Sequence, residues 1–225
     1  MSEAVLELEQ RDDYPVQVTV HPVTQDRNRL TTAFRFFLAL PHILMVGGPA
    51  AVGIWIGSQT GSDLSFGSGA GIIGFLAAVA AVVAWFAIVL TARHPDVLWR
   101  MGAYYFRWRY RALTYMTLLR DEYPPFGDDP YPVELVVPRP EGPRDRLTVF
   151  FRPLLALPHL IVLMVLTLFW AFTTAVAWVW ILLSGRFPQP LYGFALGVLA
   201  WSGRVEAYVL LLRDEYPPFT LRALV

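Results

Sequence analysis

Apolar and polar residues alternate in two short segments of the chain, and a long apolar stretch follows each of them. In YPVQVTVHP (14–22), valines at positions 16, 18 and 20 alternate with polar residues, which is the period of a half-buried strand. The segment YPVELVVP (131–138) has a similar pattern. We therefore predict a short β-strand at the start of each half of the chain.

The apolar region of the first half covers residues 36–92 and is interrupted by a Gly/Ser-rich link at 57–70. Its flanks, 36–56 and 70–91, each reach the length of about 20 residues that a membrane-crossing helix requires. We therefore interpret 36–92 as a transmembrane hairpin. Arginines flank its base, so the positive-inside tendency places both bases, and both chain termini, in the cytoplasm.

The apolar region of the second half, 153–184, has no polar break. A single helix of about 32 residues would measure roughly 48 Å, which exceeds a hydrocarbon core of about 30 Å. We favour two short helices in a hairpin that dips into the bilayer. One long, tilted helix is the alternative.

A third helix closes each half, at 95–120 and at 190–213. In the first, a basic face at helical spacing predicts a helix at the membrane surface, in contact with lipid headgroups or a partner; its members are Arg100, Tyr104, Arg107, Arg111 and Thr114. In the second, the matching positions form a small-residue face with GxxxG spacing, which favours helix packing; they are Gly193, Gly197, Ala200 and Arg204.

The two halves are copies of one another. LLRDEYPPF occurs unchanged at 118–126 and 211–219, and the segment at 27–42 aligns without gaps on 144–159. A match of this length indicates duplication. We therefore predict a mainly α-helical, polytopic membrane protein, with an acidic tail (1–13), two repeats (14–126 and 131–219) and a short C-terminal tail (220–225).

Composition supports a membrane protein. The chain is 56% hydrophobic and 16% charged, whereas a soluble domain carries about 25% charged residues. The formal net charge is zero, so a nucleic-acid partner is not expected. There is no cysteine for a disulfide or a thiolate site. The acidic start lacks the features of a signal peptide.

Basic residues at the start of each repeat are the first candidate site. Such clusters attract anionic headgroups, or they keep the base of a hairpin in the cytoplasm, and both roles are compatible. The set is Arg27, Arg29, Arg35, Arg144, Arg146 and Arg152. With Arg100, Arg107 and Arg111, it forms the predicted surface for lipid headgroups or a partner.

His42 and His159 occupy equivalent positions in the two repeats. They could supply two axial ligands to a haem, but a histidine at the headgroup level explains them without a ligand. Since no further ligand cluster is visible, we predict neither a cofactor nor a metal.

The triplets Arg120-Asp121-Glu122 and Arg213-Asp214-Glu215 contain two adjacent acids. Consecutive side chains point in different directions, so we interpret each triplet as a cap in which arginine pairs with a neighbouring acid rather than as a catalytic group. No familiar catalytic motif accompanies them. A non-enzymatic protein is the prediction.

The order of motifs resembles a known family. Each half has a YPV strand, an RL...FR..LALPH entry, an apolar stretch and a closing RDEYPPF. This resembles the bacterial membrane-protein family called domain of unknown function 4389, in two tandem copies. The resemblance implies a bacterial cytoplasmic (inner) membrane protein and implies no reaction.

Three functions fit the sequence. The first is a scaffold or accessory subunit of a membrane assembly that organises lipid, with membrane lipids and other membrane proteins or a second copy as partners. The second is a small carrier or lipid-handling protein with a site between the repeats. The third is a haem-binding membrane protein that uses His42 and His159.

Overall fold

The computed structural model of the protein describes residues 14–49 and 71–223. Within these residues the protein is mainly helical, with one two-stranded sheet. The elements in chain order are β1 (Gln17–Val20), α1 (Arg29–Ala33), α2 (Arg35–Val46), α3 (Gly71–Thr91), α4 (Asp96–Met116), β2 (Val133–Val136), α5 (Arg146–Ser184) and α6 (Gln189–Val209). The acidic tail and the Gly/Ser-rich link lie outside the described residues.

The two predicted strands are present, and they pair with each other. β1 and β2 are antiparallel, with Val18 opposite Leu135 and Val20 opposite Val133. Val18 and Val20 are buried and Gln17 and Thr19 are half-buried, as the alternation predicts. The sheet therefore joins the beginnings of the two repeats.

The apolar region of the first repeat differs from the predicted hairpin. α2 ends at Val46, next to Gly47, so the helix expected over 36–56 is interrupted there; residues 50–56 of that span lie outside the described residues. α2 and α3 both run along α4 toward its start: Arg35 contacts Tyr115, His42 contacts Trp108, and Ile88 packs against Leu98. Within the described residues, α2 and α3 are successive parts of one path rather than two antiparallel arms.

In the second repeat the same path is a single helix. α5 has 39 residues, or about 58 Å at ~1.5 Å per residue, so the favoured hairpin is wrong and the alternative of one long helix is correct. By the sequence match, Val46 and Gly71 correspond to the adjacent residues Leu163 and Met164 of α5. The insert of the first repeat therefore interrupts a helix that is continuous in the second.

The closing motif ends α4 and α6 in the same way. Leu118 (φ 66°) and Leu211 (φ 62°) adopt the left-handed conformation that commonly terminates helices. The prolines that follow cannot continue a helix. The motif is thus a helix stop, as predicted.

Contacts exchanged between the repeats hold the two halves together. The indole N–H of Trp85 in α3 donates to the carbonyl of Val149 in α5 at 2.9 Å. The equivalent Trp178 in α5 donates to the carbonyl of Thr32 in α1 at 2.9 Å. Each repeat therefore uses an indole of its long apolar helix to bind the entry segment of the other repeat, which is residues 27–42 in the first repeat and 144–159 in the second.

Among the residues that the structure describes, two helices are long and apolar enough to cross a membrane, by length and composition: α3 and α5. In the most apolar 18-residue segment of each helix, 28% of the residues of α3 and 17% of those of α5 are buried. Most residues of these segments are therefore exposed or half-buried, unlike those of the core helix of a soluble protein.

Candidate functional site

Two arginines and one aspartate form a buried cluster in each repeat. In the first, Nη2 of Arg27 and Nη2 of Arg35 donate to the same oxygen, Oδ1 of Asp121, at 2.7 and 2.5 Å. Arg27 also donates to the carbonyl of Leu118 at 2.5 Å, and Arg35 to that of Arg120 at 2.6 Å. The entry segment is thereby fastened to the closing motif.

The second repeat reproduces this cluster. Nη2 of Arg144 and Nη2 of Arg152 both donate to Oδ1 of Asp214 at 2.5 Å, and they also bind the carbonyls of Leu211 and Arg213. Each cluster contains two cations and one carboxylate, so it carries an excess of one positive charge.

Both aspartates remain ionised under ordinary conditions. Burial favours the neutral form of Asp121, but the positive charges of Arg27 and Arg35 outweigh this effect and hold the pKa of the carboxyl below its usual range. In the same way, burial is outweighed at Asp214 by Arg144 and Arg152, and its pKa is also lowered.

The other charges of each triplet pair locally, as predicted. Nε of Arg120 donates to Oε2 of Glu122, and Nε of Arg213 donates to Oε2 of Glu215, both at 2.9 Å. The same two arginines also bind the carbonyls of His21 and Pro138 at the ends of the strand segments. The closing motif thus connects the sheet to the helices.

Each histidine lies in an aromatic box of its own repeat. Nδ1 of His42 accepts a hydrogen bond from Nε1 of Trp108 at 3.1 Å. The imidazole ring of His42 stacks on the ring of Phe126, with 4.5 Å between the ring centroids, and it also contacts Tyr123. His159 is bound in the same manner by three side chains, Trp201, Phe219 and Tyr216. The two boxes have no residue in common, and their aromatic packing gives the histidines a structural role.

An apolar groove lies between the repeats. Its volume is about 540 Å³, and residues of α3, α4, α5 and α6 line it. Small side chains of α3 open one wall, among them Gly74, Ala78 and Ala81. The polar residues of its lining are Tyr105, Arg109, Arg152 and Glu206.

Arg109 and Glu206 form a buried ion pair in the lining of this groove, with Nε of Arg109 at 3.0 Å from Oε1 of Glu206. The hydroxyl of Tyr110 donates to Glu206 at 3.0 Å. Arg109 also donates to the carbonyls of Val46 and Gly48, where α2 ends.

The pair breaks the symmetry of the repeats. At the equivalent positions the sequence has Ser202 in place of Arg109 and Leu113 in place of Glu206. Because α5 is continuous where α2 ends, the second repeat has no exposed carbonyls for an arginine to cap. The carbonyls at the end of α2 therefore explain why an arginine occupies position 109, and Glu206 neutralises the charge of that arginine.

The family follows from the sequence comparison. The sequence model described as "Domain of unknown function (DUF4389)" matches residues 64–127 and 146–220, one region in each repeat. The chain belongs to this family. No curated protein and no solved structure matches the chain.

The predicted basic surface at the start of each repeat is divided between buried and exposed arginines. Four of the six entry arginines are buried in the clusters: Arg27, Arg35, Arg144 and Arg152. Arg29 and Arg146 are exposed. A direct headgroup contact therefore stays a prediction for the exposed pair, whereas the buried four bind protein groups.

The basic face of α4 is partly covered by the linker between the DUF4389 repeats. Arg107 binds Asp128 through two hydrogen bonds of 2.8 Å, and Arg111 donates to the carbonyls of Gly127 and Asp129. Arg100 is exposed. α4 is otherwise largely buried within the protein, so the predicted surface helix is a core helix with one accessible face.

The small-residue face of α6 packs against the C-terminal tail. A Cβ atom on Gly197 would lie 2.5 Å from the carbonyl oxygen of Leu221, whereas one on Gly193 would meet no atom within 4 Å. Arg204 donates to the carbonyls of Thr220 and Arg222, as Arg111 does to the linker. Ala200 is buried in the same face. The close approach is to an extended tail and not to another helix.

A site between the repeats was one of the alternatives that the sequence left open, but its lining residues and the pair of Arg109 and Glu206 were not predicted. Arg204 and Glu206 are both charges within an apolar helix, and such charges usually require partners. This signal does not reveal that the partner of Glu206 is Arg109. It also does not reveal the groove, which is formed by residues far apart in the chain.

Proposed function

We propose that the protein is a bacterial inner-membrane protein that binds a lipid-like amphiphile in the groove between its repeats. The observation that carries this proposal is the groove itself, which has about 540 Å³ of space and an almost entirely apolar lining. Ligand pockets typically measure about 300–1,000 Å³. The groove has the size of a small-molecule site and lies where two related halves meet.

The placement of the groove favours a ligand that comes from the bilayer. α3 and α5, which form two of its walls, are the two described helices that are both long and apolar enough to cross a membrane. Their outer faces are apolar and largely exposed, so lipid chains would surround them. A hydrophobic ligand could enter the groove from these chains without passing through water.

Filling the groove tests the proposal. Ala78 lines the groove and its equivalent in the second repeat is Ala171, which is exposed outside it. The protein is purified in mild detergent, and the lipids it retains are identified by mass spectrometry. We expect Ala78→Trp to reduce the amount of a specifically retained lipid and Ala171→Trp to leave it unchanged.

Two results would count against the groove as a ligand site. One is equal lipid retention by the unaltered protein and the Ala78→Trp variant. The other is an equal loss in both tryptophan variants, since this would mean that the retained lipid only surrounds the helices.

The accessory-subunit function is a second candidate, and the length of α5 supports it. Exposed apolar side chains occur along the whole helix, from Leu147 to Leu183, over about 58 Å. A hydrocarbon core covers only about 30 Å. The apolar surface that extends beyond the hydrocarbon core would face water unless a protein partner or a second copy packs against it.

Purification by affinity in mild detergent tests this second candidate. A partner in stoichiometric amount, or a defined homo-oligomer, would support a scaffold or accessory role. A monodisperse monomer without a partner would contradict it. The groove experiment is unaffected by either result.

A further inference from the structure

The groove has an excess of positive charge in one wall. Arg144 and Arg152 share the single carboxylate of Asp214, while Arg213 is paired with Glu215 and Arg109 with Glu206. Of these described charges, one cation is left without a counterion. Since Arg152 lines the groove, the excess lies at its surface.

Arg152 also has an unused donor. Its guanidinium is 2% exposed as a side chain, Nη1 donates to the carbonyls of Tyr208 and Arg213, and Nη2 donates to Asp214. Nε of Arg152 is buried and has no hydrogen-bond partner within the described part of the chain. A buried charged donor without a partner is unfavourable, so a bound acceptor would stabilise it.

Arg109 is not the equivalent anchor. Its Nε binds Glu206 and its two terminal nitrogens bind the carbonyls of Val46 and Gly48. Its charge is balanced and its donors are occupied. An anionic group in the groove would therefore bind at Arg152.

We propose that the groove holds a fatty acid, with its hydrocarbon chain along the apolar walls and its carboxylate at Arg152. This inference rests on the proposed amphiphile-binding function and names its ligand. One excess cation matches a monoanion such as a carboxylate, and the Nε–H of Arg152 is a donor for one of its oxygens. The volume of the groove favours one chain over the two chains of a phospholipid.

The first repeat supplies a matched control. Arg35 occupies the equivalent position: it donates to Asp121 and to the carbonyls of Tyr115 and Arg120, and its Nε is also unpartnered among the described residues. Arg35 is not among the residues that line the groove. Substituting Arg35 and Arg152 in parallel therefore separates structural damage from loss of ligand binding.

The test measures binding of palmitate and of hexadecanol, which has the same chain length and no charge, to delipidated protein in mild detergent at pH 8. We expect palmitate to bind about 10-fold more tightly than hexadecanol, the size of one charge-assisted hydrogen bond. Arg152→Gln should abolish this preference, and Arg35→Gln should retain it. The thermal midpoint of each variant reports whether it is folded.

The outcomes separate this inference from the proposed function. Equal binding of palmitate and hexadecanol, both lost in Ala78→Trp, would overturn the carboxylate inference and leave the groove as an amphiphile site. Tighter binding of a single-chain lysophosphatidate would overturn the choice of a carboxylate. Binding that Ala78→Trp does not affect would overturn both proposals. If Arg152→Gln does not fold, the comparison of palmitate with hexadecanol in the unaltered protein still decides the charge preference.

Discussion

The indole N–H of Trp108 donates a hydrogen bond to Nδ1 of His42 at 3.1 Å, and Trp201 does the same to His159 at 3.2 Å. Because Nδ1 is the acceptor, the proton of the neutral ring lies on Nε2. Each histidine thus fastens its helix to the last helix of its repeat, α4 or α6, through a neutral aromatic contact. This relationship is the structural explanation for the repeated LALPH segment.

Trp108→Phe should destabilise the protein by about 1–3 kcal/mol, because it leaves a buried ring nitrogen without its donor. Trp201→Phe should have a similar effect, since its surroundings are equivalent. The shift of the thermal unfolding midpoint in detergent measures both. An unchanged midpoint in either variant would mean that the indole hydrogen bond adds no net stability.

Asp121→Asn should destabilise the protein by about 3 kcal/mol, toward the lower end of the range for breaking a buried ion pair, since this carboxylate is 19% exposed. It leaves Arg27 and Arg35 without their counterion. Glu122→Gln is the control, because Glu122 is 49% exposed and an exposed pair contributes at most about 1 kcal/mol. Equal effects of the two substitutions would contradict the importance of the cluster.

Stability should fall as the pH is lowered into the acidic range. The pKa values of Asp121 and Asp214 are lower in the folded protein than their usual values, and the unfolded value is about 3.9. Their contribution is therefore present above the unfolded pKa and is lost as the pH falls through the folded pKa. Unfolding midpoints measured from pH 7 downward should show this loss, and Asp121→Asn combined with Asp214→Asn should reduce its slope. If the midpoint of the double variant falls with pH as steeply as that of the unaltered protein, other groups cause the pH dependence.

Gly197→Ala should displace the C-terminal tail, because its Cβ would lie 2.5 Å from the carbonyl oxygen of Leu221. Overpacking of this kind typically costs about 1–3 kcal/mol. Gly193→Ala is the matched control: its Cβ meets open space, and alanine stabilises a helix by up to about 1 kcal/mol relative to glycine. Gly197→Ala should therefore raise the protease sensitivity of the tail and lower the unfolding midpoint, whereas Gly193→Ala should leave the protease sensitivity unchanged and raise the midpoint.

The two repeats should stay together after the chain is cut between them. A protease site inserted between Glu141 and Gly142, both exposed, leaves the sheet and the bonds of Trp85 and Trp178 intact. We expect the fragments to co-elute in mild detergent after cleavage. Trp85→Phe combined with Trp178→Phe should weaken this association, and separation of the unaltered fragments would contradict the exchanged contacts.

Much of the local structure could be predicted from the chain. The alternating valines at 16, 18 and 20 predicted β1. The prolines after Asp121 and Asp214 predicted that the last helices stop before them, although α4 and α6 end at Met116 and Val209, four residues before the predicted ends at 120 and 213. These features depend on the conformational preferences of neighbouring residues. The direction of the apolar helices was not predictable in the same way. α2 and α3 together are as apolar as α5, and the two regions differ only in the insert that separates α2 from α3.

The sequence by itself determined that the protein is a duplicated member of a helical family, because repeated motifs and apolar stretches are properties of neighbouring positions. Only the tertiary structure decided that Arg27, Arg35, Arg144 and Arg152 are buried, because their aspartate partners are supplied by distant segments. It also decided where the groove lies. A cavity depends on how four helices meet, and neither the period nor the composition of one helix specifies the space left beside the others.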